Sequence, residues 1–302
     1  MNSSEDSTPT PLGGISYVTP PAGYTLSGRD GRVAIPWDGK PPIPLLDEDL
    51  ASMQQEGPDY DMVGRGIYQA LRLDPECAHA AEYAAVLKEA YPHIVSELGG
   101  QVIMMDAKEL DSAYLDRKIT CLKILALLDP SNAGLQVEIG RTFADRGSRL
   151  DALQQAVGSW YGAERHLKKA LELGSPDSRV AYEYGEALYV VGRYDQAAGV
   201  WAESLPGLAE GKRAPLAARI AAILAGKLPL VSPLDYLTAL AVALEERNAG
   251  RNDEAAAIIE DVLADPFFVE QFPMGEVYYL LGTCYQELGM VNEAAETFRR
   301  SR

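Results

Sequence analysis

From Asp47 onward, apolar residues recur three and four positions apart, Ala and Leu are plentiful, and runs of β-branched residues are short. That is the helical period, and it predicts a body of helices without a sheet. Breakers fall at Asp74-Pro75, Gly99-Gly100, Asp129-Pro130, Gly174-Ser175-Pro176, Pro206-Gly207, Ser232-Pro233, Asp265-Pro266 and Pro273. They divide the body into roughly eleven to thirteen helices.

Residues 1–45 follow another pattern. Eight of the 19 prolines lie there, including Pro41, Pro42 and Pro44. Proline lacks an N–H donor and fixes φ, so this segment is not helical. Residues 24–27 and 32–35 flank Gly28-Arg29-Asp30-Gly31 and read as a small β-hairpin. A lone hairpin is marginal in water, so it either docks on the body or stays mobile. The stretch at residues 41–44 reads as a stiff tether or as a polyproline ligand. The expected organisation is a Pro-rich segment, 1–45, and a helical domain, 46–302.

Self-comparison exposes a repeat. Ala181-x-x-Tyr184-Gly185-x-x-Leu188, Gly192, Ala197 and Trp201 align without gaps with Tyr278-x-x-Leu281-Gly282-x-x-Tyr285, Gly289, Ala294 and Phe298. A looser copy runs Gln136-x-x-Ile139-Gly140-x-x-Phe143 and then Ala163-x-x-x-Leu167-x-x-Ala170, with eleven extra residues that lengthen both helices. Another places Ala243, Gly250, Ala255 and Ile259, and the surplus before it provides one further helix near 215–225. Leu73-Asp74-Pro75 and Leu128-Asp129-Pro130 each end a helix.

This pattern resembles the tetratricopeptide repeat, a pair of antiparallel helices with the signature W-x2-L-G-x2-Y, then A-x3-F. The match is clearest over 177–205 and 273–302 and partial over 131–173 and 233–266. The resemblance implies an all-α, right-handed solenoid of helix pairs behind the Pro-rich segment. A mid-helix glycine costs about 1 kcal/mol against Ala and is kept where helices meet closely. Gly185 and Gly282 are expected to face Ala197 and Ala294, with Tyr184, Trp201, Leu281 and Phe298 between stacked pairs.

In this family one helix face lines a concave groove. Here it carries Val137 and Arg141; Tyr182, Glu186 and Tyr189; Leu240 and Leu244; and Tyr279, Thr283 and Gln286, with Glu276 at the flank. Tyrosine pairs apolar area with a polar tip and suits recognition surfaces. The alternative is that an extra helix or the N-terminal segment covers these tyrosines. Relatives that clamp a chaperone's C-terminal carboxylate use Lys, Asn and Arg in the groove. Only Arg141 is basic here, so the resemblance does not imply that role.

Charge narrows the partner. Lys plus Arg total 27 against 44 Asp plus Glu, a net charge of −17. That excludes a phosphate backbone and hence nucleic acid. Residues 252–298 hold ten carboxylates and no Lys, Arg or His. They form a solubilising surface or steer a basic partner with apolar anchors, with Glu276 and Glu287 flanking Tyr279. The apolar stretch 216–231 is cut by Arg219, Lys227 and Pro229 and reads as a buried helix and loop, not a membrane span. Residues 1–10 have no apolar run, so no signal peptide is read and a cytoplasmic protein with reduced thiols is expected. Repeat arrays need a polar cap, so the last helix, at 292–301, is expected to be covered by self-association or a partner, or the chain is a truncated one.

No catalytic set assembles. Gly64-Arg65-Gly66 is a fragment of a phosphate loop or a close helix contact. Cys77, His79 and Glu82 fall short of the four ligands that zinc needs, and Cys121 and Cys284 lack metal spacing. His93 sits at a helix start, and His166, beside Lys168 and Lys169, reads as surface. No metal and no cofactor are expected. The leading function is a non-enzymatic protein-binding module: scaffold, adaptor, or assembly or secretion chaperone. The alternative is a small-ligand or regulatory sensor whose extra helices close a pocket; an enzyme comes third.

Overall fold

The computed structural model describes residues 12–28, 33–106, 111–175, 177–271 and 274–301. The expectations for residues 1–10, for Arg29, Asp30, Gly31 and Arg32 of the hairpin, for the breakers Pro176 and Pro273, and for Arg302 lie outside them. The chain divides into two compact units, Met1–Leu135 and Gln136–Arg302.

The first unit begins with β1 (Ile15–Val18), β2 (Thr25–Ser27), β3 (Ala34–Pro36) and β4 (Ile43–Leu46). β2 and β3 form the expected hairpin, with Leu26 opposite Ile35. β1 and β4 form a second antiparallel pair, Ile15 opposite Leu46 and Val18 opposite Ile43. The helices that follow are α1 (Asp47–Leu50), α2 (Tyr60–Leu73), α3 (Ala80–Ala90), α4 (His93–Asp106) and α5 (Ser112–Leu128). Asp59 and Asp111 cap α2 and α5 by accepting from the amides of Met62 and Tyr114. Both helices end at the Asp-Pro stops, at Asp74 and Asp129.

The Pro-rich stretch is neither tether nor ligand. Ile43 and Leu45 are fully buried in one core with Leu26, Ile35, Trp37 and residues of α2, α3 and α5. Trp37 Nε1 donates to the Pro41 carbonyl at 2.8 Å, and the Tyr83 hydroxyl to the Pro42 carbonyl at 2.7 Å. Gly66 is the close contact that admits β4, since a Cβ there would run into the Pro44 carbonyl. Gly99-Gly100 does not break the chain; α4 runs through it, anchored by buried Ile94 and Leu98.

The second unit holds α6 (Ala133–Gly147), whose first turn contains the unit boundary, then α7 (Ala156–Glu172), α8 (Ser178–Val190), α9 (Tyr194–Ser204) and α10 (Glu210–Leu224). It continues with α11 (Pro233–Asn248), α12 (Asn252–Leu263), α13 (Pro266–Gln271), α14 (Gly275–Glu287) and α15 (Val291–Arg300). Fifteen α-helices result among the described residues, more than expected because α1 and α13 are too short to carry a helical period.

α8 with α9, α11 with α12 and α14 with α15 are tetratricopeptide-like helix pairs. The turns of the first and last are equivalent. Gly192 and Gly289 have φ of 80° and 74°, and the residue after each donates back to the carbonyls of Leu188 and Tyr285. Such a turn needs positive φ, which glycine adopts without steric cost.

Two expectations change and one holds in part. The nearest neighbours of Gly185 and Gly282 are the rings of Trp201 and Phe298, so these aromatics fill the inside of their own pairs instead of the space between stacked pairs. Gly140 likewise meets Leu167. The extra residues of the looser copy lengthen its helices only in part: α6 has 15 residues and α7 has 17, against 13 in α8 and 11 in α9, and the remainder form a separate turn. Trp160 Nε1 binds the Gly147 carbonyl at 3.2 Å where α6 stops, and a 3₁₀ turn, Leu150–Gln155, buries Ala152 and Leu153. His166 is half-buried, stacked on Phe143 with ring centroids 5.7 Å apart.

Candidate docking surface

α8 and α14 carry equivalent faces: Tyr182, Glu186 and Tyr189 on one, Tyr279, Thr283 and Gln286 on the other. The structure treats them differently.

The α8 face is occupied. α10, the additional helix expected near 215–225, brings its buried Leu216, Ile220 and Ile223 into one cluster with Tyr189 and Trp201. Two of its three cations complete the contact. Arg219 donates from Nη1 to Glu186 Oε1 at 2.7 Å, and its guanidinium lies 4.0 Å from the Tyr189 ring centroid and 4.8 Å from that of Trp201. Lys212 Nζ lies 5.5 Å from the centroid of Tyr182. Burial, with the Glu186 charge beside it, pushes the Tyr182 phenol up to about 12. Tyr189 is only 2% exposed.

The α6 and α11 positions are also engaged. Val137 is buried, and Arg141 is neutralised by carboxylates: Glu183 at 2.9 and 3.0 Å, Glu138 at 3.2 Å and Asp177 at 3.4 Å. Arg179, hydrogen-bonded to Asp177, holds that carboxyl down at about 2. Leu240 is fully buried and Leu244 half-buried, because α11 packs back on α7, α8 and the 3₁₀ turn at Leu150–Gln155. Gln154 Nε2 donates across that contact to Glu245 at 3.0 Å.

The α14 face is open. Tyr279 is 59% exposed and rests against Phe298, centroids 5.5 Å apart. Glu276 and Gln286 are exposed and Thr283 half-buried, its hydroxyl donating to the Leu280 carbonyl. Nine of the ten carboxylates in 252–298 are exposed. The tenth, Asp265, is buried, accepting from the Tyr236 hydroxyl at 2.7 Å and the Leu230 amide at 3.2 Å. Nothing in the sequence around Asp265-Pro266 marks it as different from its neighbours. α15 turns polar residues outward, Asn292, Glu293, Glu296 and Arg299, with Val291 its exposed large apolar residue.

No group of His, Cys, Asp or Glu among the described residues is arranged to hold a metal ion. Cys77 is half-buried, and Cys121 and Cys284 are buried; all three are free thiols whose titration burial pushes up. No helix among the described residues is long and apolar enough to cross a membrane.

The sequence matches no protein-family profile and no curated protein. Among solved structures it is similar to the MamA protein, 17% identical, covering 70% of this chain and 91% of that one with a TM-score of 0.29. It is similar to the TPR domain of P58(IPK), 16% identical, covering 80% and 64% with a TM-score of 0.37. It is also similar to YrrB, described as a TPR protein with an unusual peptide-binding site, 16% identical, covering 79% and 91% with a TM-score of 0.27. The mark of the tetratricopeptide architecture in this chain is its own helix pairs, with Gly185 under Trp201 and Gly282 under Phe298.

Proposed function

We propose that this chain is a non-enzymatic protein-binding module, and that the open face of α14 receives a partner segment that is basic with apolar anchors. One observation carries this reading: the equivalent face of α8 is already filled by such a segment. α10 meets Tyr182, Glu186, Tyr189 and Trp201 with two cations and three aliphatic side chains. On α14, Tyr279 stands exposed where Tyr182 stands on α8; Thr283 and Gln286 replace Glu186 and Tyr189, and the exposed carboxylate on that helix is Glu276, three residues before Tyr279. The exposed carboxylates of 252–298 add a single-sign field that accelerates encounter with a cation, screened over roughly 8 Å at physiological ionic strength. Scaffold, adaptor and assembly chaperone all use such a surface, and the partner decides among them.

The test captures partners from native extract with the full chain and with a Tyr279→Ala/Gln286→Ala variant, followed by mass spectrometry. A basic partner retained by the first and lost by the second, associating more slowly as salt rises, supports the proposal. Identical captures, an acidic partner, or a salt-independent on-rate would sink it.

A further inference from the structure

The first unit contains a feature that protein docking on α14 does not use. A cleft of about 730 Å³ opens between α2, α4 and α5. That volume is typical of a small-molecule site, where apolar walls meet a few converging polar groups.

On the α4 side the cleft is apolar beyond what folding requires. α4 is rich in Ile, Val, Leu and Met yet buries only Ile94 and Leu98. Met104, on the cleft wall, is 63% exposed, and its neighbour Ile103 69%. Methionine is a pliable surface that adapts to varied apolar shapes.

Two arginines meet these walls. The Arg72 guanidinium lies 5.8 Å from the centroid of Tyr68, and that of Arg117 5.6 Å from the centroid of Tyr114. Several other arginines of this acidic protein hold a carboxylate, among them Arg65, Arg141, Arg193, Arg219 and Arg251. Arg72 and Arg117 have no carboxylate oxygen within 4 Å among the described residues; Arg72 has only the Gln69 side-chain oxygen at 3.4 Å. A guanidinium laid on an aromatic face keeps N–H donors in the fork that matches carboxylate or phosphate oxygens. Glu97 and Asp116 also line the cleft, so its formal charge is balanced. An anion is therefore held by directed hydrogen bonds to the guanidiniums rather than by a net field.

We propose that this cleft binds an amphiphilic organic anion, its apolar body on Met104, Met105 and Tyr68 and its carboxylate or phosphate head on Arg72 and Arg117. The site is separate from α14 and stands or falls independently of partner docking there.

Calorimetric titration of the full chain with octanoate, octyl phosphate and 1-octanol tests this. Both arginines are exposed, so Arg72→Gln/Arg117→Gln is expected to melt as the parent does. Saturable binding of at least one anion with Kd below about 1 mM, about tenfold weaker with the neutral alcohol and about tenfold weaker in the double variant, supports the site. The head that binds more tightly identifies the source as carboxylate or phosphate. Met104→Asp, which sets a charge against the apolar body, is expected to weaken binding comparably. No anion binding below about 1 mM, octanol binding as well as the anions, or affinity unchanged in both variants overturns the proposal.

Discussion

The indole of Trp201 lies against the bare α-carbon of Gly185 while its Nε1–H donates to the Tyr182 carbonyl at 3.0 Å. Phe298 repeats the contact on Gly282, its nearest ring carbon 2.6 Å from where a Cβ would stand. Trp201 is fully buried and has nowhere to move, whereas Phe298 is half-buried. Gly185→Ala is therefore expected to destabilise by about 1–3 kcal/mol through overpacking, and Gly282→Ala by less. Urea unfolding measures both; a Gly185→Ala midpoint equal to the parent's would show that the indole yields without cost.

Gly99 and Gly100 predict the opposite sign. Both lie inside α4, with nothing within 4 Å of where a methyl group would stand. Alanine at either site is expected to raise stability by about 0.5–1 kcal/mol, because it costs less backbone entropy in a helix. A melting temperature that falls in both variants would show that these positions are covered.

Arg219 fastens α10. Arg219→Met keeps an unbranched apolar stem but removes the bond to Glu186 and the charge over Tyr189 and Trp201. The expected loss is about 1–3 kcal/mol. Hydrogen exchange is expected to quicken in α10 and to stay unchanged in α14. Unaltered exchange in α10 would mean that Leu216, Ile220 and Ile223 hold the helix alone.

Alkaline pH is expected to destabilise the fold. Burial lifts the phenols of Tyr24, Tyr182, Tyr194 and Tyr285 from 10.0 to about 12. Tyr236 is raised as well, by burial first and then by its hydrogen bond to Asp265. The folded chain thus holds these protons more tightly than the unfolded one. Their contribution is complete below pH 10 and is lost as pH rises from 10 through about 12. Tyrosinate absorbance and the urea midpoint followed together test this. Phenols that titrate near 10 with no loss of stability would contradict it.

Helix pairs were legible because their signals are local. Asp74-Pro75 and Asp129-Pro130 stop α2 and α5, Gly192 and Gly289 turn one helix into the next, and the glycine–aromatic offset is the same in both matched pairs. The hairpin at Leu26 and Ile35 was legible for the same reason. Each rests on φ, a missing N–H or a cap within a few residues, and those preferences travel with the sequence.

What covers each face was decided by tertiary structure. Tyr182 and Tyr279 hold the same repeat position, yet α10 closes over one and leaves the other in solvent. Leu240 is buried only because α11 turns back onto α7 and α8, and Asp265 only because Tyr236 and Leu230 reach it from elsewhere in the chain. β4 pairs with β1 across 24 intervening residues and settles on Gly66, although Pro44 argues against a strand. Burial of such surfaces is non-directional and depends on which distant segments arrive together. The period within a helix names the face that must be covered or used, and only the packed chain determines which.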